Sequence, residues 1–261
     1  DFGLADHCIP LTLLYMFLLK HSWLSEMLMR LPSIAAGFLA LLAVFLLAGR
    51  IVGRRAALTA AALLSISPLH VFYSRLARPY ALSMLLSFIA VLAFYFWWTK
   101  QGRGWLPAYL CCGILSVWLV LPSFPLVAGP FGFAMLHSFL ERDPMRGFRR
   151  LLPPGIMFGA GLLLLLGPPL LSNFGAIGGK VGEGRISLWS VTMSCRLFGG
   201  TAHLWLLSAV GCLCLAGLVL LYRKNRGFAL YSLFLVVCQI AGFVAANPLG
   251  SDAPILLNRY S

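Results

Sequence analysis

Long apolar runs, separated by short polar connections, occupy most of this chain. After eight positions that carry Asp1, Asp6 and His7 comes Ile9–Leu19, ended by Lys20 and His21. A helix of that length covers about 17 Å, well short of about 30 Å of hydrocarbon. It therefore predicts a re-entrant or interfacial helix, with His21 and Trp23 at headgroup depth. From residue 31 on, eight runs predict spanning helices at 31–49, 56–72, 80–98, 105–121, 124–140, 151–172, 201–222 and 227–247. The runs 56–72, 105–121 and 124–140 are at the lower limit for crossing. Pro153, Pro154, Pro168 and Pro169 are expected near the ends of the sixth helix, where they disturb least. The expected fold is all-α: one polytopic transmembrane domain, with 1–30 an outer loop and interfacial helices, 31–247 the spanning helices and 248–261 an outer loop. A start at Asp1 and an end inside a polar segment suggest a piece of a longer protein, truncated at both ends.

Composition agrees with the pattern. Hydrophobic residues make up 61% and charged residues 10% of the 261, and the mean hydropathy is +0.91, outside the range of soluble globular domains. The formal charge of +13 would suggest nucleic acid only if it formed a basic face on a soluble domain. Here the basic residues punctuate apolar runs, which is a topology signal and implies membrane lipids as partners. Twelve of the twenty Lys and Arg fall in alternate connections: Arg50, Arg54, Arg55; Lys100, Arg103; Arg142, Arg146, Arg149, Arg150; Arg223, Lys224, Arg226. That side is expected to be cytoplasmic, leaving both termini and the turn within Ser67–Leu82 outside. Asp1, Asp6, Glu26, Glu183 and Asp252, five of the seven carboxylates, share the outer side. The centres of the apolar runs carry no charge, which argues against an ion pump or proton relay. The seven cysteines show no metal-ligand spacing, and a Cys8–Cys195 disulfide has no support. No cofactor is indicated, and a divalent metal has no residue pattern behind it.

The chemistry-bearing stretch is Ser67–Leu82, SPLHVFYSRLARPYAL. Pro79 disfavours helix at Arg78, so the backbone is expected to break at Ala77–Arg78 and restart beyond it. Tyr73, Arg75, Arg78 and Tyr80 are then crowded into one turn between helices. They read as an interfacial belt, or as an anion site in which guanidinium forks hold phosphate oxygens. His70 reads as an interfacial histidine. Glu26 and Arg30, spaced i,i+4 with the acid first, read as a structural pair or a substrate contact. Asp6 reads as a helix cap or a catalytic acid. The glycine-rich stretch 173–200 lacks a phosphate-loop signature and reads as an outer loop.

Three segments in one order carry a resemblance: Asp6-His7-Cys8-Ile9-Pro10-Leu11, then Ser25-Glu26 with Arg30-Leu31-Pro32-Ser33, then Ser67-Pro68 with Tyr73-Ser74 and Ala77-Arg78-Pro79-Tyr80. Together they resemble the GT-C superfamily of polytopic glycosyltransferases, in its bacterial branch related to protein O-mannosyltransferases and the lipid A aminoarabinose transferase. The likeness is close over roughly residues 1–100; later, Asn258-Arg259-Tyr260 resembles an outer-loop Arg-Tyr. It implies an inverting hexosyl- or pentosyltransferase of the bacterial inner (plasma) membrane. Its donor would be a polyprenyl-phosphate-linked sugar and its acceptor a glycan, lipid or protein at the outer face. It also implies Asp6, with Asp1 behind it, as the catalytic acid, and Tyr73, Arg75, Arg78, Tyr80, Arg259 and Tyr260 around the donor. The sequence departs from the family in lacking an Asp-Glu pair and in reading His7-Cys8-Ile9-Pro10, which points to a main acid upstream of Asp1.

The competing reading is a transporter or flippase of lipid-linked sugars, for which an inverted repeat, broken mid-membrane helices and midplane polar groups would speak; no convincing internal repeat is evident, and the polar clusters are expected at the outer rim. A non-catalytic assembly subunit would lack a donor pocket altogether. Cysteine labelling from either face tests the orientation. Positions in 50–55, 100–104, 141–150 and 223–226 should react from the cytoplasmic side alone; reaction of 173–200 from that same side would overturn it.

Overall fold

The computed structural model describes residues 9–21, 23, 25–100, 102, 104–141, 144–172, 192, 196, 201 and 203–246. Among them the regular structure is helical, as the apolar periodicity requires: α1 (Ile9–Lys20), α2 (Glu26–Val52), α3 (Arg54–Ser65), α4 (Pro68–Arg75), α5 (Tyr80–Lys100), α6 (Trp105–Leu119), α7 (Phe124–Leu140), α8 (Pro144–Ser172), α9 (Leu204–Lys224) and α10 (Arg226–Ala246). Among the described residues six helices are long and apolar enough to cross a membrane, or seven if α3 and α4 form one bent span.

The expected eight spans are corrected at two places. The run 56–72 is not one helix: α3 and α4 meet at 63°. Pro68 has no N–H to continue the ladder, its ring crowds the carbonyl four residues back, and Ser67 is extended at φ −65°, ψ 122°. The run 105–121 stops at Leu119, because Val120 is extended and Pro122 lies in a 3-10 turn over Leu121–Ser123. The resulting 15-residue helix is about 22 Å long. It packs between α5, α7 and α8, with Tyr109 and Val117 fully buried. Two helices also begin earlier than expected. Ser25 accepts a hydrogen bond from the Leu28 N–H at the start of α2, so Glu26, Arg30 and Pro32 lie inside the first turns. Likewise α8 starts at Pro144, which carries Pro153 and Pro154 into its interior instead of its end.

α5 is the axis of the bundle. Ala36, Ala40 and Ala43 of α2 meet Ala81 and Leu85 in a close parallel packing. On the other side Phe94, Tyr109 and Phe131 meet edge to face and Tyr109 stacks on Phe158, linking α5 to α6, α7 and α8. Buried polar groups join helices too. Ser87 and Ser83 of α5 reach the Ser116 hydroxyl of α6 at 2.6 and 3.0 Å, and Ser116 donates to Ser123 at 3.1 Å. Tyr231 donates to the Val91 carbonyl at 2.7 Å.

The expected alternation of connections is visible at the two ends of the bundle. At one end Lys224 Nζ donates to the Val52 carbonyl at 2.6 Å, beside Gly53, whose φ of 93° only glycine adopts readily. There Arg50 lies over Trp105. Arg150 Nη2 donates to the Trp97 and Trp98 carbonyls at 3.0 and 3.1 Å, with its guanidinium over both indoles. Basic residues thus cap the C-terminal ends of α2 and α5 from neighbouring helices. The opposite end gathers Ser33, Arg78, Ser123, Pro122 and Gln239.

Arg150→Met keeps the length and apolar contact of the side chain and removes both donors. It should destabilise the protein by about 1.5–3 kcal/mol, the worth of charge-assisted hydrogen bonds, with Arg150→Lys between it and the native chain. Thermal unfolding in detergent measures the order; equal stability of Met and Arg variants would reduce Arg150 to a surface charge.

Candidate functional site

The turn between α4 and α5 is built from two prolines and a pair of rings. α4 begins at Pro68 and ends at Arg75, and Leu76 turns extended at φ −80°, ψ 137°. The break therefore opens one residue before the expected Ala77–Arg78. The Pro79 carbonyl accepts from the Ser83 N–H at 2.8 Å, starting α5. Tyr73, from the last turn of α4, sets its ring edge against Tyr80 in the first turn of α5, with centroids 5.2 Å apart. That contact closes the turn over Arg78, which is half-buried, while Arg75 is exposed. The four residues expected to lie together, Tyr73, Arg75, Arg78 and Tyr80, therefore share one tight turn.

α2 supplies the floor. Ser33 is fully buried, and its hydroxyl donates to the Arg78 carbonyl at 3.0 Å across 45 residues of sequence. One helical turn further on, Gly37 lets α4 approach: a Cβ there would fall on the side chain of Ser74. Ser74 in turn donates to the His70 carbonyl at 2.7 Å. His70 is 7% exposed, with its ring near Gly37. It is packed on the side of α4 that faces α2.

The other expected residues divide plainly. Glu26 and Arg30 form an ion pair at 2.5 Å on the first turns of α2, both well exposed. In water such a pair contributes about 0–1 kcal/mol. Asp1, Asp6, Cys8, Cys195, Arg259 and Tyr260, and the stretch 173–191, lie outside the described residues. Among the described residues no cluster of three or more His, Cys, Asp or Glu could hold a metal ion.

Sequence reasoning overlooked the partners that hold the turn: Gly37 and the Ser83–Ser87–Ser116–Ser123 cluster, with Ser33 and Ser74 noticed only as parts of a motif. A signal for them was present. Ser33 and Gly37, like Ser83 and Ser87, are small residues spaced i,i+4 in otherwise bulky apolar runs. That is the pattern of close helix approach within a membrane.

Helices that cross a membrane, with arginines and tyrosines gathered at one rim, define a polytopic membrane protein with a polar site at a bundle end. A family model described as dolichyl-phosphate-mannose-protein mannosyltransferase matches residues 9–140, half of the chain. The chain belongs to this family, and is a membrane glycosyltransferase of the GT-C type. The matched region runs from α1 through α7 and includes Ser33, Gly37 and the whole arginine turn. No curated protein and no solved structure matches the chain.

Gly37→Ala should push α4 off α2 and cost about 1–3 kcal/mol, the usual effect of overpacking. The two nearest atoms both belong to Ser74, and the next, His70 Nε2, is at an ordinary 3.8 Å. Adding Ser74→Gly should therefore recover part of the loss, less about 0.5–1 kcal/mol for a glycine inside a helix. Thermal unfolding of the single and double variants decides; no recovery would mean that α4 does not pack there.

Proposed function

We propose that this glycosyltransferase moves a sugar from a polyprenyl-phosphate carrier to an acceptor at the outer face of a bacterial inner membrane. The carrying observation is the Ser33–Arg78 hydrogen bond. It joins the Arg30–Ser33 segment to the arginine turn, at the bundle end opposite the Val52, Trp97 and Lys224 contacts. Basic connections favour the cytoplasm, so this rim is read as the outer one.

The chemistry asked of the rim is simple. An acceptor hydroxyl oxygen attacks the anomeric carbon from the side opposite the phosphate. The carbon–oxygen bond to the carrier breaks as the new glycosidic bond forms, giving inversion. The hydroxyl proton passes to a carboxylate within about 2.6–3.2 Å, directly or through one water. In this chain Asp6 is the candidate, with Asp1 behind it. The departing polyprenyl phosphate gains negative charge, which the fixed guanidinium of Arg78 stabilises, assisted by Arg75. Tyr73 and Tyr80 wall the phosphate and donate hydroxyls, and Arg259 and Tyr260 complete the donor side. The family description favours a hexose, and a pentose is the other sugar class the resemblance admits.

Arg78→Ala in the full-length protein tests this reading. Binding of a polyprenyl monophosphate in nanodiscs should weaken by about 1.5–3 kcal/mol, the loss of a charge-assisted contact, with membrane insertion unchanged. Arg75→Ala, at an exposed position, should cost less. Unchanged affinity in Arg78→Ala would return the arginine to a membrane-interface role.

A further inference from the structure

We infer that Ser33 is a positioning residue for the donor phosphate: it acts through the backbone of Arg78 and touches no substrate itself. The inference rests on the donor reading of Arg78. Three observations carry it. Ser33 is fully buried in a face of α2 otherwise made of Ala36, Gly37, Ala40 and Ala43. Within that face its hydroxyl donates to the Arg78 carbonyl. Lastly, the acceptor is the carbonyl directly before Pro79, at a point where both flanking helices have stopped.

The geometry explains why one hydrogen bond matters here. A residue before proline is confined to extended conformations, but within that region ψ still varies over tens of degrees. Rotation about ψ swings the carbonyl and the guanidinium-bearing Cα in relation to each other. Ser33 holds that carbonyl to a fixed helix and so limits ψ of Arg78. Tyr73 against Tyr80 closes the turn from outside, and the Ser83–Ser116 contact pins the first turn of α5 to α6. Ser33 is the tether that reaches the arginine residue itself. An arginine held at its backbone loses less freedom on binding an anion, so affinity rises without any added contact.

The test is a double-mutant cycle, read as affinity for a polyprenyl monophosphate by the full-length protein in nanodiscs. Ser33→Ala should weaken binding about three- to tenfold, the equivalent of one hydrogen bond, while in an Arg78→Ala background it should change nothing further. Ser33→Cys, which replaces the hydroxyl with a larger, weak thiol donor, should bind no better than Ser33→Ala. Native affinity in Ser33→Ala or Ser33→Cys, with Arg78→Ala still weak, would overturn the inference and leave the donor reading standing. The same loss from Ser33→Ala in both backgrounds would make Ser33 merely structural and also overturn it. If Arg78→Ala itself binds normally, the donor reading is what fails.

Discussion

Inside a bilayer a backbone carbonyl released from a helix ladder has no water to turn to. This constraint organises the protein, because its helices are repeatedly interrupted by proline or ended by a short connection. At several interruptions a side chain from another helix supplies the donor. Ser33 meets the Arg78 carbonyl before Pro79, Gln239 meets the Pro122 carbonyl at 3.0 Å, Arg150 meets Trp97 and Trp98, and Lys224 meets Val52. Each such bond spans from 45 to 172 residues of sequence. The breaks in the helices are thus also the points at which the tertiary structure is tied.

The two ends of the bundle solve this problem with different chemistry. Where the basic connections lie, long cationic side chains reach over indole rings to the last carbonyls of α2 and α5, combining a cap with cation–π contact. At the opposite rim the donors are short and neutral: Ser33, the serine cluster of α5 and α6, and Gln239. Short donors demand close helix packing, which the alanines and Gly37 of α2 permit. Long cations would compete with Arg75 and Arg78 for an anion, so small hydroxyl donors leave the positive charge of that rim to the turn.

Pro68 and Pro79 together define the short helix α4, whose axis bends by 63° from α3. A straight continuation of α3 would carry Tyr73 and Arg75 along the bundle axis into the next connection. The bend instead lays eight residues across the face of α2, against Gly37, and delivers Arg78 to Ser33. The site is therefore a consequence of a broken span, the setting in which membrane proteins commonly place irregular backbone.

Periodicity and composition alone determined that the chain is an all-helical membrane protein, which connections share a side, and that Tyr73, Arg75, Arg78 and Tyr80 crowd one turn. These properties depend on local patterns: run length against bilayer thickness, basic residues between runs, and the effect of Pro79 on its neighbour. The family likeness was legible for the same reason, since its motifs are short and contiguous. Helix ends were less so. Arg146 looks like a loop residue, and Glu26 and Arg30 lie before the span expected at 31–49, yet α2 and α8 begin earlier and carry polar first turns. The break at Pro68 was hidden by the apolar residues on both sides of it. Only the tertiary structure decided that Ser33 faces Arg78, that Gly37 is the berth of Ser74, and that Arg150 caps α5. Those pairings join residues 37 to 53 positions apart. They depend on the relative rotation of packed helices, which no local pattern specifies.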